Sequence, residues 1–218
     1  LDTTGAGLHK RGYRRDSNEA PIKETLAAGI IDLARVRPDS IFYDPFCGSG
    51  TFLIEAAAKA LNIAPGINRR FAAEKWPLIP PEIRQEERTR CFDQVRRDAS
   101  FIAYGSDIDP ACVSLTEENA RKAGVGSRIR LKRADIKEFS LQSEGGIVVC
   151  NPPYGERLLD VKQAEELYHV MGERFVKGRA NYYIISPHEN FERIFGRPAT
   201  KRRKLYNGMI RCQLFLYF

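Results

Sequence analysis

Apolar residues follow two rhythms along this chain, and the switching between them lays out the elements. Ile22, Leu26, Ile30 and Leu33 recur at helical spacing, so an amphipathic helix is expected to open at Pro21 and to stop at Pro38. Ile41 to Tyr43 reads as a short buried strand, and the Ala- and Leu-rich stretch from Thr51 to about Leu61 as a helix. From Asn62 to about Ala99 the pattern turns irregular and charged around Trp76, which marks a helical insertion. Phe101 to Tyr104, Ile129 to Lys132, Ile147 to Cys150 and Tyr182 to Ser186 are further short apolar strands. Between them lie helices from Pro110 to about Ala123, ended by Gly124, and from about Ala164 to Val176. Lys201 to Tyr206 and Met209 to Phe218 flank Asn207-Gly208, a hairpin signal. In the last strand Ile210, Cys212, Leu214, Leu216 and Phe218 share a face.

Short strands alternating with helices predict an α/β domain with a mostly parallel, doubly wound sheet and a C-terminal antiparallel hairpin. A hydrophobic share of 43% in 218 residues supplies one core, and no apolar run nears the roughly 20 residues that span a bilayer, so no membrane partner is expected. The net charge of +7, from 35 Lys and Arg against 28 Asp and Glu, favours a polyanionic partner. Cys47, Cys91, Cys112, Cys150 and Cys212 form no CxxC pair, and His9, His169 and His188 show no ligand spacing with them. Free thiols in a reducing cytoplasm and no metal site are the expectation. Residues 1–20 are polar, glycine-containing and basic. They read as a linker to a domain upstream, with residues 21–218 as the catalytic unit.

In such sheets ligands bind beyond the carboxyl ends of the strands, and three unusual segments fall there. The first is Asp44-Pro45-Phe46-Cys47-Gly48-Ser49-Gly50-Thr51. Gly50 leads directly to Thr51 with no lysine, which argues against a nucleotide P-loop. Leu53 replaces the third glycine of a dinucleotide fingerprint. S-adenosylmethionine fits better: its carboxylate suits the amides of the loop and helix start, and its ammonium suits Asp44. Phe46, Cys47, Gly48, Gly50 and Thr51 are then cofactor contacts. At the next two strand ends Asp107 suits the ribose hydroxyls, Ile108 one adenine face, and Asp135 with Ile136 the adenine edge.

The third segment, Asn151-Pro152-Pro153-Tyr154, is the most specific. An exocyclic base nitrogen is a poor nucleophile because its lone pair is delocalised into the ring. Two acceptors, the Asn151 side-chain oxygen and the Pro152 carbonyl, can hold its hydrogens and favour pyramidal geometry. Prolines 152 and 153 fix the backbone, and Tyr154 offers a flat face to an extruded base. Catalysis is then positioning and electrostatics. Asn151 also borders the cofactor, while Cys47 and Cys150 are packing residues.

DPFCGSGT, GSDIDP and NPPYGERL, in this order and spacing, resemble the bacterial 23S rRNA guanine-N2 methyltransferases, a family often labelled as N6-adenine-specific DNA methylases. LHKRGYR followed by APIKETLA resembles that family's junction between an upstream THUMP domain and the catalytic domain. The resemblance implies a Rossmann-like class I methyltransferase fold with seven strands, an rRNA substrate and an RNA-binding THUMP module. The choice of guanine rests on it alone, because the Asn-Pro-Pro-Tyr motif also serves adenine N6 and glutamine amides. Arg157 behind the motif is expected at a phosphate, and Arg11, Tyr13 and Arg14 mix charge with an aromatic as single-stranded RNA prefers. The other basic clusters, Arg128 to Arg133 among them, read as solvated surface. Two alternatives stay open: an adenine-N6 methyltransferase acting on DNA or RNA, and a non-catalytic RNA-binding module on the same fold.

Overall fold

The computed structural model describes residues 1–14, 22–154 and 158–218. Its strands are β1 (Ile41–Asp44), β2 (Ile102–Asp107), β3 (Ile129–Arg133), β4 (Ile147–Cys150), β5 (Asn181–Ser186), β6 (Lys201–Asn207) and β7 (Ile210–Tyr217). They form one sheet in the order β3-β2-β1-β4-β5-β7-β6. The first five strands run parallel, while β7 returns antiparallel between β5 and β6. This is the mostly parallel seven-stranded sheet with a terminal hairpin that the chain's rhythm predicts.

The helices are α1 (Glu24–Leu33), α2 (Thr51–Ala60), α3 (Pro81–Asp93), α4 (Pro110–Lys122), α5 (Leu158–Arg174) and α6 (Phe191–Phe195). Alternate strand residues feed two cores, as the two-residue period of a strand requires. Phe42, Val149, Tyr183, Ile185, Leu214 and Leu216 join α1 and α2 on one face of the sheet. Tyr43, Val148, Tyr182, Ile184, Phe215 and Tyr217 join α5 and α6 on the other. The hairpin strand β7 is therefore buried on both faces, not one, and Phe218 beyond it is exposed.

Several boundaries differ from the sequence pattern. Helix α1 starts at Glu24 and buries Ala27, Ile30 and Ile31 with Glu24; Leu33 faces solvent, because Ala34 and not Leu33 continues the buried stripe. The expected opening at Pro21 lies outside the described residues. Helix α5 begins at Leu158, and α6 is too short to carry a helical period. The insertion is ordered by α3, none of whose residues is buried. It is held to the rest by Arg69, whose guanidinium donates to the carbonyls of Gly7 (3.0 Å), Thr4 (3.1 Å) and Ala6.

Helices α5 and α6 approach closely because Gly172 has no side chain: a Cβ there would run into the carbonyl of Phe195. We expect Gly172→Ala to destabilise the fold by about 1–3 kcal/mol through overpacking. The check is thermal unfolding, where the midpoint falls by several degrees.

Candidate active site

The carboxyl ends of β3, β2, β1 and β4 lie side by side, and each delivers one segment. Asp135 follows β3, Asp107 closes β2, Asp44 closes β1, and Asn151 follows β4. From β1 the chain steps outward to β2 and β3 and then crosses back to β4 on the other side of β1, the topological switch where α/β sheets bind ligands.

The glycine loop is braced from two directions. Asp107 accepts from the Gly48 N–H through one carboxylate oxygen (3.0 Å) and from the Asp109 N–H through the other (3.1 Å). Below the loop, Thr116 Oγ1 donates to the Gly48 carbonyl (2.9 Å) and Asn119 Nδ2 to the Ser49 carbonyl (3.0 Å), both from buried positions on α4. Gly50 has φ 81°, and a Cβ on it would meet Thr116 Cγ2 at 2.7 Å, so the turn requires glycine twice over. The amide of Gly50 bonds the Cys47 carbonyl (2.6 Å). With Gly48 and Gly50 engaged inside the protein, an anion falls to the other amides at the start of α2.

Asp44 is fully desolvated beside this loop, its Oδ1 accepting only the Phe46 N–H (3.1 Å), and among the described residues no basic side chain pairs with it. Burial pushes its pKa up to about 8, against the pull of the Phe46 N–H, and Asp107 adds to the rise. Burial also raises the thiols of Cys47 and Cys150 far above their ordinary range, Asp44 adding to both, so neither is a nucleophile. Phe46 is half-buried against the α5 side of the core. At the edge Ile108 is 62% exposed, a large apolar side chain with an open face. Asp135 caps a 3-10 turn through the Lys137 N–H (2.9 Å), and Ile136 behind it is buried. A buried acid with no cation among the described residues, a tight glycine turn and an exposed aliphatic side chain thus stand at neighbouring strand ends.

In the Asn151–Tyr154 segment, Asn151 and Tyr154 are half-buried, Pro152 buried and Pro153 exposed. The Tyr154 hydroxyl donates to Asn151 Oδ1. An amide oxygen has two lone pairs, so this bond orients Asn151 and leaves it one acceptor position. Among the described residues no donor reaches the Pro152 carbonyl. The Pro153 carbonyl instead accepts from Tyr168 of α5 (3.2 Å), whose hydroxyl also takes the Ser186 Oγ hydrogen bond (3.3 Å). Ser186 in turn accepts the His188 N–H (3.1 Å). The ends of β4 and β5 are thereby tied together through a fully buried tyrosine.

The three leader residues turn toward α1 and α2. Arg11 pairs with Glu55 (3.3 Å), and Tyr13, 5% exposed, bonds the same carboxylate (3.3 Å). Arg14 pairs with buried Glu24 (3.5 Å) and donates to Thr51 Oγ1. The polar groups of all three engage acids of α1 and α2, where the sequence pattern had suited them to single-stranded RNA. Arg157 lies outside the described residues. Sequence reasoning missed Thr116, Asn119, Tyr168 and Ser186; only their polarity on otherwise amphipathic elements marks them.

Comparison with known proteins gives the family. The family model described as "RMKL-like, methyltransferase domain" matches residues 11–215. The chain belongs to this family of S-adenosylmethionine-dependent methyltransferase domains. It is 45% identical to YpsC of Bacillus subtilis (strain 168), provisionally named an RNA methyltransferase, over all of this chain and 57% of that protein. It is 38% identical to the ribosomal RNA large subunit methyltransferase K/L of Shewanella baltica (strain OS185), over all of this chain and 32% of that one. The chain thus spans about half, or a third, of the length of these relatives. Among solved structures it superposes on SMU.472, a methyltransferase complexed with SAH, with a TM-score of 0.93 at 44% identity, over 100% of this chain and 57% of that one.

Two outcomes follow for this methyltransferase domain. In the ligand-free protein Asp44 stays protonated up to about pH 8, so binding an ammonium there must release a proton. Cofactor affinity should rise by up to about tenfold per pH unit toward pH 8. It should fall again as the ligand's α-amino group loses its own proton at about pH 8. The folded pKa is raised, so the ligand-free fold itself loses stability as pH climbs from the ordinary carboxylate range through about 8. Calorimetry across pH is the check, and Asp44→Asn should abolish the acid limb. Second, Tyr168→Phe should leave cofactor affinity unchanged but slow turnover by about tenfold, short of the hundredfold that a 1 Å displacement costs. Ser186→Ala should move turnover in the same direction, read as kcat rather than KM.

Proposed function

We propose that this chain transfers a methyl group from S-adenosylmethionine to an exocyclic amino group of an RNA base, guanine N2 of large-subunit rRNA being the preferred form. The observation that carries this reading is the Asn151–Tyr154 segment at the end of β4, next to the desolvated Asp44 and the glycine loop. Guanine and rRNA are supported by the name of the K/L relatives and by the motif resemblance. A cytoplasmic location and an upstream THUMP-type RNA-binding domain belong to the same proposal. The upstream domain accords with relatives in which this region is only 32% or 57% of the length.

Asp44 would hold the cofactor ammonium, Asp107 the ribose and Asp135 the adenine amino group, with Ile108 against the ring. Bound there, the cofactor supplies an electrophilic methyl group on a sulfonium. The chain's part is to aim the nitrogen. Asn151 Oδ1, already oriented by Tyr154, and the Pro152 carbonyl accept its two hydrogens. This favours the pyramidal nitrogen whose lone pair is available for attack. No covalent nucleophile takes part, as the raised thiols of Cys47 and Cys150 require.

Incubation with labelled S-adenosylmethionine and unmodified rRNA or DNA, followed by mass spectrometry of nucleosides, tests the reading. N2-methylguanosine from rRNA supports it. N6-methyladenine, or no methylated nucleoside, overturns the guanine assignment or the activity respectively. Asn151→Ala should retain cofactor affinity and lose at least about a hundredfold in rate, as for a polar group acting on the transition state.

A further inference from the structure

The face of the sheet that carries α5 and α6 is uncovered where it reaches its edge. Those helices lie over β4, β5 and β7, and no described helix packs on β2 and β3 from that side. A groove of about 160 Å³ runs there. Its floor is aromatic: Tyr104 stacks on Tyr43 with centroids 5.4 Å apart, and Phe139 meets Tyr43 edge-on at 6.1 Å. Its rim is basic. Arg130 and Lys132 are two residues apart on β3, point to the same face, and are exposed. Gln142 adds an amide, and no acidic side chain lines the groove. Among the described residues neither Arg130 nor Lys132 has an acidic partner.

We infer that this groove is a second RNA-contact surface, taking one unstacked base against Tyr104 while Arg130 and Lys132 neutralise the flanking phosphates. The inference rests on the RNA reading above and extends it to a surface outside the cofactor site. Charge selects the partner: two cations without an acidic partner among the described residues, Arg130 bonded only to the Ser127 and Ile129 carbonyls, over an aromatic floor suit a single strand, whose bases offer a flat face and whose backbone is anionic. Size agrees. At about 30 Å³ per water the groove holds roughly five waters, room for one heteroaromatic ring and not for a helix of a protein partner. Position agrees too. Pro45 and Ser106 line the groove next in sequence to Asp44 and Asp107, so a strand leaving the target base has a short path to it. None of the residues assigned to the cofactor lines it.

The experiment uses the 218-residue chain and a fluorescein-labelled single-stranded RNA of about 15 nucleotides carrying 4-thiouridine. Wild-type protein should crosslink through the segments 102–107 and 128–142. The doubly neutral variant Arg130→Gln/Lys132→Gln should bind RNA about tenfold more weakly at low salt. The slope of its log affinity against log salt should be shallower by about 1.4, two phosphates' worth for a single strand. Tyr104→Leu should weaken binding with no change of salt slope. Its folding is verified by cofactor affinity, which should be unchanged in both variants. Unchanged RNA affinity in the charge variant, absence of RNA binding by the wild type, or crosslinks confined to other segments overturns the inference. So does a concentration-dependent dimer that the charge variant dissolves, since the face would then belong to a second copy. Methylation is scored separately: groove binding without any methylated nucleoside removes the proposed activity and leaves the groove. Full methylation by a charge variant with unchanged binding does the reverse.

Discussion

Because β1 is hydrogen-bonded in parallel to β2 on one side and to β4 on the other, every return of the chain has to cross the sheet. All five parallel strands therefore point their carboxyl ends the same way. This brings residues more than a hundred positions apart, from Asp44 to Asn151, to one edge. The loops need not be long to meet, since each begins where its strand stops. The Asp107 carboxylate then converts proximity into a fixed shape by gripping the Gly48 amide across the strand gap. Thr116 and Asn119 do the same from beneath.

Three acids lose their water in this part of the fold, and their fates differ. Glu24 and Glu55 meet Arg14 and Arg11, so the domain supplies their counterions. Asp44 receives one backbone N–H and no cation among the described residues. Burying an unpaired carboxylate is costly, and the cost takes the form of a raised proton affinity. The same desolvation that makes Asp44 a poor anion alone makes it a strong partner for an arriving ammonium, because little water remains to be displaced. On the proposed reading, what sets Asp44 apart from Glu24 and Glu55 is that its cation comes with the ligand.

Strands were legible because their apolar runs are short and bounded by turn residues; Ile147–Cys150 agrees to the residue. The glycine loop and Asn151–Tyr154 stand out because few functions need such residue types at such spacing, and both lie at strand ends, after β1 and β4. What stayed hidden is non-local. Arg11 and Glu55 are 44 positions apart, and nothing in the leader's composition separates an arginine bound for a buried glutamate from one bound for a phosphate. Tyr168 and Thr116 sit among the polar residues of α5 and α4, and their hydrogen bonds to loop carbonyls depend on helix placement. Arg128 to Arg133 read as plain solvated charge, since the aromatic floor beside it comes from β1, β2 and the chain after β3. Leu33 was misplaced because from Ile30 a three-residue step to Leu33 and a four-residue step to Ala34 both fit a helix, and only packing chooses the buried Ala34.

The leader has a mechanical consequence. Arg14 reaches Thr51, the first residue of α2, directly behind the turn at Gly50. Arg11 and Tyr13 grip the same helix one turn further on, at Glu55. Residues 1–14 are thus a handle bolted to the first two turns of α2. A shift of that handle is therefore felt first at Thr51, beside the loop that Asp107 and Thr116 hold.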